Sequence, residues 1–102
     1  AFDMWFDCDN EKINCQISHE DEHILRLAEG NTNFQRLLAI DNFYNDPVIY
    51  PNVAKSLVVE LNNLADYFAK NNRKQYITHC QKIENFIRLS IEKMQVIHCI
   101  SD

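Results

Sequence analysis

Apolar and polar residues alternate along two short runs at the start of the chain. The apolar positions in these runs are Phe2, Met4, Phe6, Cys8, Ile13, Cys15 and Ile17. Strict alternation predicts strands with one buried face, and the intervening residues DNEK are typical of a turn. Residues 1–18 are therefore predicted to form an antiparallel β-hairpin. Because a lone hairpin is marginal in water, its apolar face is expected to pack on helices.

After residue 18 the apolar residues recur at intervals of three and four, which predicts helices. Ser18 followed by Asp21 is an N-cap pattern for the first helix, and Gly30 is a typical helix end. The predicted helices cover residues 19–29, 33–42, 52–70 and 73–98. The resulting fold prediction is α+β and mostly α: a single domain, 1–102, with the 1–18 hairpin packed on a bundle of about four helices (19–102).

Composition supports a soluble helical domain. The chain has 102 residues with one glycine and two prolines, which disfavours a fold built from many tight turns. No apolar run approaches the ~20 residues of a membrane span, and no basic start precedes an apolar signal region. We therefore predict a cytoplasmic protein that does not enter a membrane, with a monomer favoured.

The four cysteines do not form a metal-binding pattern. They are Cys8, Cys15, Cys80 and Cys99, and no pair has the C-x-x-C spacing of a zinc knuckle. Two disulfides are one possibility. Buried reduced thiols are the favoured interpretation, because the sequence carries no export signal.

The net charge of −5 is unevenly distributed. Residues 1–46 carry ten acids and three bases (−7), and residues 47–102 carry five acids and seven bases (+2). An acidic surface repels phosphate backbones and attracts basic proteins, so direct nucleic-acid binding by the whole domain is disfavoured.

One segment matches a catalytic signature. His19-Glu20-x-x-His23 is the helix-borne H-E-x-x-H pattern of zinc hydrolases, in which two histidines one turn apart bind the metal. No third histidine follows at the spacing of the longer signature. Acids in the first turn of a helix are ordinary partners of its dipole. The favoured interpretation is a charged helix start with no catalytic residue, metal or other cofactor, and a zinc-dependent hydrolase using His19 and His23 is the alternative.

The segment AIDNFYNDPVIYPN, residues 39–52, is the strongest candidate for a binding surface. Aromatic residues beside carboxylates on a proline-stiffened loop suit a protein contact, since aromatic anchors bury large areas and acids meet basic partners. The alternative is an irregular loop whose aromatic residues cap the core. The candidate partner-binding residues are Asp41, Phe43, Tyr44, Asp46, Tyr50, Glu29 and Trp5.

A basic segment begins the last predicted helix. Lys70, Arg73, Lys74 and Lys82 fall close together, at an end where the helix dipole disfavours cations. A solvated face is the favoured interpretation, and a small anion-binding patch or an acid nearby in the fold is the alternative.

In size, acidity and helical texture the whole chain resembles the small immunity proteins of bacterial toxin systems, including contact-dependent growth inhibition and nuclease bacteriocins. The segment VIYP, residues 48–51, is similar to the Tyr-Pro recognition segment of helical bacteriocin immunity proteins. The resemblance implies a non-enzymatic protein that neutralises a basic toxin domain, typically a nuclease, by tight occlusion, and it assigns recognition to Tyr50. A homo-oligomeric adaptor that uses the 73–98 helix is the second alternative.

Overall fold

The computed structural model describes residues 1–29, 41–44 and 47–101, with the side chains of residues 28, 29, 41 and 42 excepted. The described strands are β1 (Phe2–Cys8), β2 (Glu11–Ile17), β3 (Val48–Ile49) and β4 (Ile97–Ser101). The described helices are α1 (His19–Glu29), α2 (Asp41–Tyr44), α3 (Pro51–Lys70) and α4 (Ile77–Glu92), and a 3₁₀ turn spans Lys74–Tyr76.

The α+β architecture with an N-terminal hairpin is confirmed, but the sheet is larger than predicted. Four antiparallel strands are ordered β2-β1-β4-β3, so the hairpin forms half of a sheet that the end of the chain completes. The prediction of about four helices is slightly wrong, because three long helices are described and α2 has only four residues. Most of the predicted 33–42 helix lies outside the described residues.

The hairpin turn explains why β1 and β2 pair in their observed register. Asp9 and Asn10 both adopt positive φ, 50° and 68°, as the two central residues of a type I′ turn require. Asp and Asn tolerate this region better than most residues. The turn sets Cys8 opposite Glu11 and Met4 opposite Cys15, so the apolar residues of both strands share one face.

The helices cover that apolar face. Phe6 of β1 packs on Phe86 of α4, with ring centroids 5.2 Å apart, and Phe2 stacks on Phe43 of α2 at 5.1 Å. From α3, the buried residues that join the same core are Ala54, Leu57, Val58, Leu61, Leu64 and Phe68. The described residues thus form two layers, with helices on one side of the sheet and no described helix on the other side.

The predicted helix 73–98 is wrong at both ends. Residues 74–76 form the 3₁₀ turn, α4 begins at Ile77, and α4 ends at Glu92. Met94 then adopts φ 55°, and the Gln95 amide donates to the Ser90 carbonyl oxygen at 2.9 Å, which closes the helix end. The chain reverses direction here and continues as β4, which pairs with β1 in the middle of the sheet.

Candidate functional site

The outward side of the sheet forms a surface that we call the open sheet face. Because side chains alternate along a strand, the residues opposite the buried ones share this surface. One row crosses all four strands through paired residues Val48, His98, Trp5 and Asn14. The remaining members are Asp3, Asp7, Lys12, Gln16 and Ile100.

Trp5 lies at the centre of the open sheet face and is held from two sides. Its ring stacks on the His98 ring with centroids 4.3 Å apart and planes inclined by 21°. The Lys12 ammonium lies 4.6 Å from the indole centroid, at cation–π distance. The indole Nε1 is buried and has no hydrogen-bond partner in the described part of the chain. The ring is therefore fixed in place by stacking rather than by a hydrogen bond.

Several apolar residues are exposed on the open sheet face and beside it. Val48 is 42 % exposed and Ile100 is 47 % exposed. Tyr50, at 58 %, has the same parity as Val48 and extends the face past the end of β3. These are three of the seven exposed large hydrophobic residues among those described. A cluster of this kind is typical of contact surfaces.

Of the predicted partner-binding residues whose side chains are described, Trp5 and Tyr50 lie on the open sheet face or beside it. Sequence reasoning missed Val48, His98 and Ile100. His98 was missed because residues 73–98 were predicted to be helical, and Ile100, which follows that predicted helix, was assigned to no element. The alternation of residues 97–101, in which Ile97 and Cys99 are buried between more exposed neighbours, was the signal that could have found them.

Phe43 and Tyr44 have structural roles instead. Phe43 is 4 % exposed and stacks on Phe2, so its ring is not available at the surface. The Tyr44 hydroxyl donates to Glu22 Oε1 and accepts from the Ala1 ammonium at 3.0 Å. These contacts tie α2 to α1 and to the start of β1, which fits the alternative that these aromatic residues cap the core, and their role in partner binding stays a prediction.

Three further predicted contact residues lie outside the description. The side chains of Glu29 and Asp41 and the whole of Asp46 are not among the described residues. Their role in partner binding stays a prediction.

The H-E-x-x-H segment begins α1, and its middle residues serve the fold. The Ser18 amide donates to Asp21 Oδ2 at 2.9 Å, and the Asp21 amide donates to Ser18 Oγ at 3.1 Å. This is the reciprocal capping box that the sequence predicts, with Asp in the position usually held by Glu or Gln.

Asp21 also joins α1 to α4. Its carboxylate accepts from the Lys82 ammonium at Oδ2 and lies beside His79 Nδ1 at Oδ1, both at 2.6 Å, and Asp21 is only 1 % exposed. Burial alone raises the pKa of this carboxyl. The hydrogen bonds from Lys82, His79 and Ser18 outweigh burial and lower the pKa from 3.8 to about 2. Asp21 is therefore an ionised structural anchor.

Glu22 is the second buried acid of the motif. Its Oε1 lies 2.8 Å from the Ala1 ammonium and accepts from Tyr44. Burial raises the pKa of this carboxyl, but these two donors, with the ammonium the stronger, lower it overall. His19 and His23 are exposed. Among the described residues, no group of three or more His, Cys, Asp or Glu side chains could hold a metal ion.

All four cysteines are free thiols in the structure. Cys15, Cys80 and Cys99 are buried, and burial raises the pKa of Cys80 to about 12, which keeps this thiol protonated and unreactive. Cys8 is half-buried, and burial together with the adjacent Asp9 carboxylate raises its pKa. Burial also raises the pKa of Cys15, so Cys8, Cys15 and Cys80 have thiol pKa values shifted away from the depressed value that an activated nucleophile requires.

Within the described ranges, no helix combines the length and apolar character needed to cross a bilayer. Comparison of the chain with protein-family models, with curated proteins and with solved structures finds no match.

Proposed function

We propose that this chain is an immunity- or antitoxin-type protein that binds a basic toxin domain and neutralises it by occlusion. We further propose that the toxin domain is a nuclease. The observation that carries the proposal is the open sheet face, where an ordered tryptophan is surrounded by exposed Val48, Tyr50 and Ile100. Aromatic anchors on a rigid element are the usual energetic centres of protein interfaces, since they lose little side-chain entropy on binding.

The charge of the chain favours a basic partner. The net charge is −5, and Asp3 and Asp7 lie on the open sheet face on either side of Trp5 along β1. Only Lys12 adds a positive charge to this face, and its ammonium already lies against the Trp5 ring. A basic surface would therefore find carboxylates beside an apolar centre, the arrangement that speeds association and then slows dissociation.

In the proposed mechanism the chain acts by occlusion and performs no chemistry. The open sheet face would lie on the cleft of the toxin domain or beside it, where its carboxylates occupy positions that substrate phosphates would take. Flat contact over the four strands would bury Trp5 in the centre and Tyr50 and Ile100 around it, with Asp3 and Asp7 paired to arginine or lysine side chains of the partner.

The proposal is tested by affinity capture from a lysate of the source organism, with elution by a salt gradient and identification by mass spectrometry. We expect a stoichiometric basic protein that salt releases, because charge steering is screened within ~8–10 Å at physiological salt. The purified partner should be toxic or nucleolytic alone and inactive in the complex.

Three variants separate specific binding from non-specific adhesion. Tyr50→Ala and Ile100→Asp alter the open sheet face, whereas Val59→Asp places the same charge at a 60 % exposed position on α3. We expect affinity to fall by at least about tenfold for the first two, a typical hot-spot loss, and to stay unchanged for Val59→Asp. Equal affinities for all three variants would exclude the open sheet face as the binding surface. A captured partner without toxic or nucleolytic activity would exclude the immunity function.

A further inference from the structure

The basic segment after α3 is only partly explained by the fold. Residues 67–83 contain Lys70, Arg73, Lys74 and Lys82 and no acid. Lys82 is paired with Asp21 at 2.6 Å, so the sequence alternative of an acid nearby in the fold holds for this residue. The side chains of the other three have no hydrogen bond or ion pair in the described part of the chain. The fold therefore does not explain why these three positive charges lie so close together in a chain whose net charge is −5.

One of these cations, Arg73, lines a cavity of about 380 Å³, which we call the Arg73 cleft, and Lys70 and Lys74 are its neighbours in the sequence. It opens between the end of α1, the end of α3 and the 3₁₀ turn that precedes α4. Its walls are formed by Leu27, Tyr67, Phe68, Asn71, Arg73 and Tyr76. The volume is within the ~300–1,000 Å³ that small-molecule sites usually occupy.

The backbone around Arg73 is fixed, while its guanidinium has no hydrogen bond or ion pair to any described residue. The Arg73 amide donates to the Phe68 carbonyl oxygen at 2.8 Å, and the Arg73 carbonyl oxygen accepts from the Tyr76 amide at 3.0 Å. Asn71 closes the end of α3, because its side-chain amide donates to the Tyr67 carbonyl oxygen at 2.8 Å. The guanidinium is thus carried on a tied turn at the wall of the cleft, ready to pair with an anion.

Aromatic rings supply the apolar part of the cleft. Phe68 is 2 % exposed and packs edge-on against Tyr76, with ring centroids 5.2 Å apart and planes inclined by 77°. This contact fixes the Tyr76 ring. The Tyr76 hydroxyl has no hydrogen-bond partner among the described residues. An aromatic face, a free phenol and a guanidinium on one cavity suit a ligand that is anionic at one end and planar at the other.

We propose that the Arg73 cleft binds an aromatic phosphate monoester of nucleoside monophosphate size. The guanidinium of Arg73 binds the phosphate through paired N–H donors, and Lys70 and Lys74 add to the local positive field. Phosphate is favoured over carboxylate because a monoester carries about −1.5 to −2 charges at pH 7, which better matches three cations. The base packs against the ring of Tyr76. The site lies at the opposite end of α3 from Tyr50 and does not depend on the proposed neutralising function.

The test is isothermal titration of the full chain with adenosine monophosphate, guanosine monophosphate, adenosine and inorganic phosphate, at low and at physiological salt. Arg73→Gln removes the guanidinium at an exposed position and keeps both backbone hydrogen bonds. Arg88→Gln is the matched control, since Arg88 lies on α4 beside Glu84 and outside the cleft.

We expect one saturable site for a monophosphate, weakened by about 10- to 100-fold in Arg73→Gln, the loss expected for a charge-assisted hydrogen bond. Arg88→Gln should bind as the parent chain does, and both adenosine and inorganic phosphate should bind more weakly than the monophosphates. The proposal is overturned if no monophosphate saturates the chain, if Arg73→Gln binds as tightly as the parent, or if inorganic phosphate alone binds as tightly as a nucleotide.

Discussion

Replacing Asp21 by Asn should destabilise the fold in a pH-dependent manner. The native pKa of about 2 lies below the ordinary value of 3.8, so ionisation of Asp21 favours the folded state. By linkage this difference contributes about 2.4 kcal/mol at pH 7, an upper figure because Lys82 is 45 % exposed and partly screened. We expect Asp21→Asn to cost about 1–2.5 kcal/mol at pH 7, which lowers the Tm by about 4–15 °C in a chain of this size.

The sign of the pH dependence follows from the direction of the shift. A carboxyl with a depressed native pKa stabilises the fold above its unfolded pKa and loses that contribution as the pH falls through its native pKa. The linkage contribution of Asp21 therefore shrinks from about 2.4 kcal/mol at pH 7 to about 0.8 kcal/mol at pH 2.5. Urea unfolding of both chains at the two pH values measures the difference directly.

Glu84→Gln provides the control for this experiment. Glu84 pairs with Arg88 one helical turn away at 3.2 Å, and Arg88 is 56 % exposed. A pair of this kind contributes about 0.3–0.5 kcal/mol, so the control should change stability little. The reasoning is refuted if Asp21→Asn is as stable as the parent at pH 7, or if its deficit is the same at pH 2.5 as at pH 7.

Three further results are expected. Phe43→Ala should lower the free energy of unfolding by about 3–5 kcal/mol, because it removes a buried ring. Tyr50→Ala should change the free energy of unfolding by no more than about 0.5 kcal/mol. Comparable losses for the two variants in urea unfolding would contradict the difference in burial. His23→Ala should leave zinc content measured by mass spectrometry unchanged and below one ion per chain, and a stoichiometric zinc lost in this variant would restore the hydrolase alternative. Alkylation of the native chain should modify Cys8 first and spare Cys80 until the chain is denatured, and simultaneous modification of both, measured by mass spectrometry, would show that Cys80 is accessible.

The hairpin could be predicted from the sequence because its pattern has a single physical cause. One face of β1 and β2 is buried, and a period of two is the only way to place apolar residues there. The capping box at Ser18 could also be predicted from the sequence, since it depends on side chains only three residues apart. Local signals of this kind survive folding because tertiary contacts act in the same direction.

The end of α4 could not be predicted in the same way. The turn at Met94 places a non-glycine residue in the left-handed region, where sequence patterns lead one to expect glycine or asparagine. Apolar residues on both sides of the turn also keep a helical spacing, so the pattern continues through a position where the chain reverses. β4 is then specified by pairing with β1, a contact between opposite ends of the chain that no local window contains.

The charge of the N-terminal half shows where sequence arithmetic misleads about a surface. The sum of −7 over residues 1–46 counts Asp21 and Glu22 as free acids, but both are buried and paired with cations of the chain itself. Within the described part of residues 1–46, the exposed carboxylates lie instead at the hairpin end, on Asp7, Asp9 and Glu11, and at Glu20. Electrostatic steering depends on exposed charge, so a basic partner is attracted mainly to the hairpin turn and the adjoining open sheet face. Neutralising Asp7 and Asp9 should therefore slow association more than removing any acid of α1.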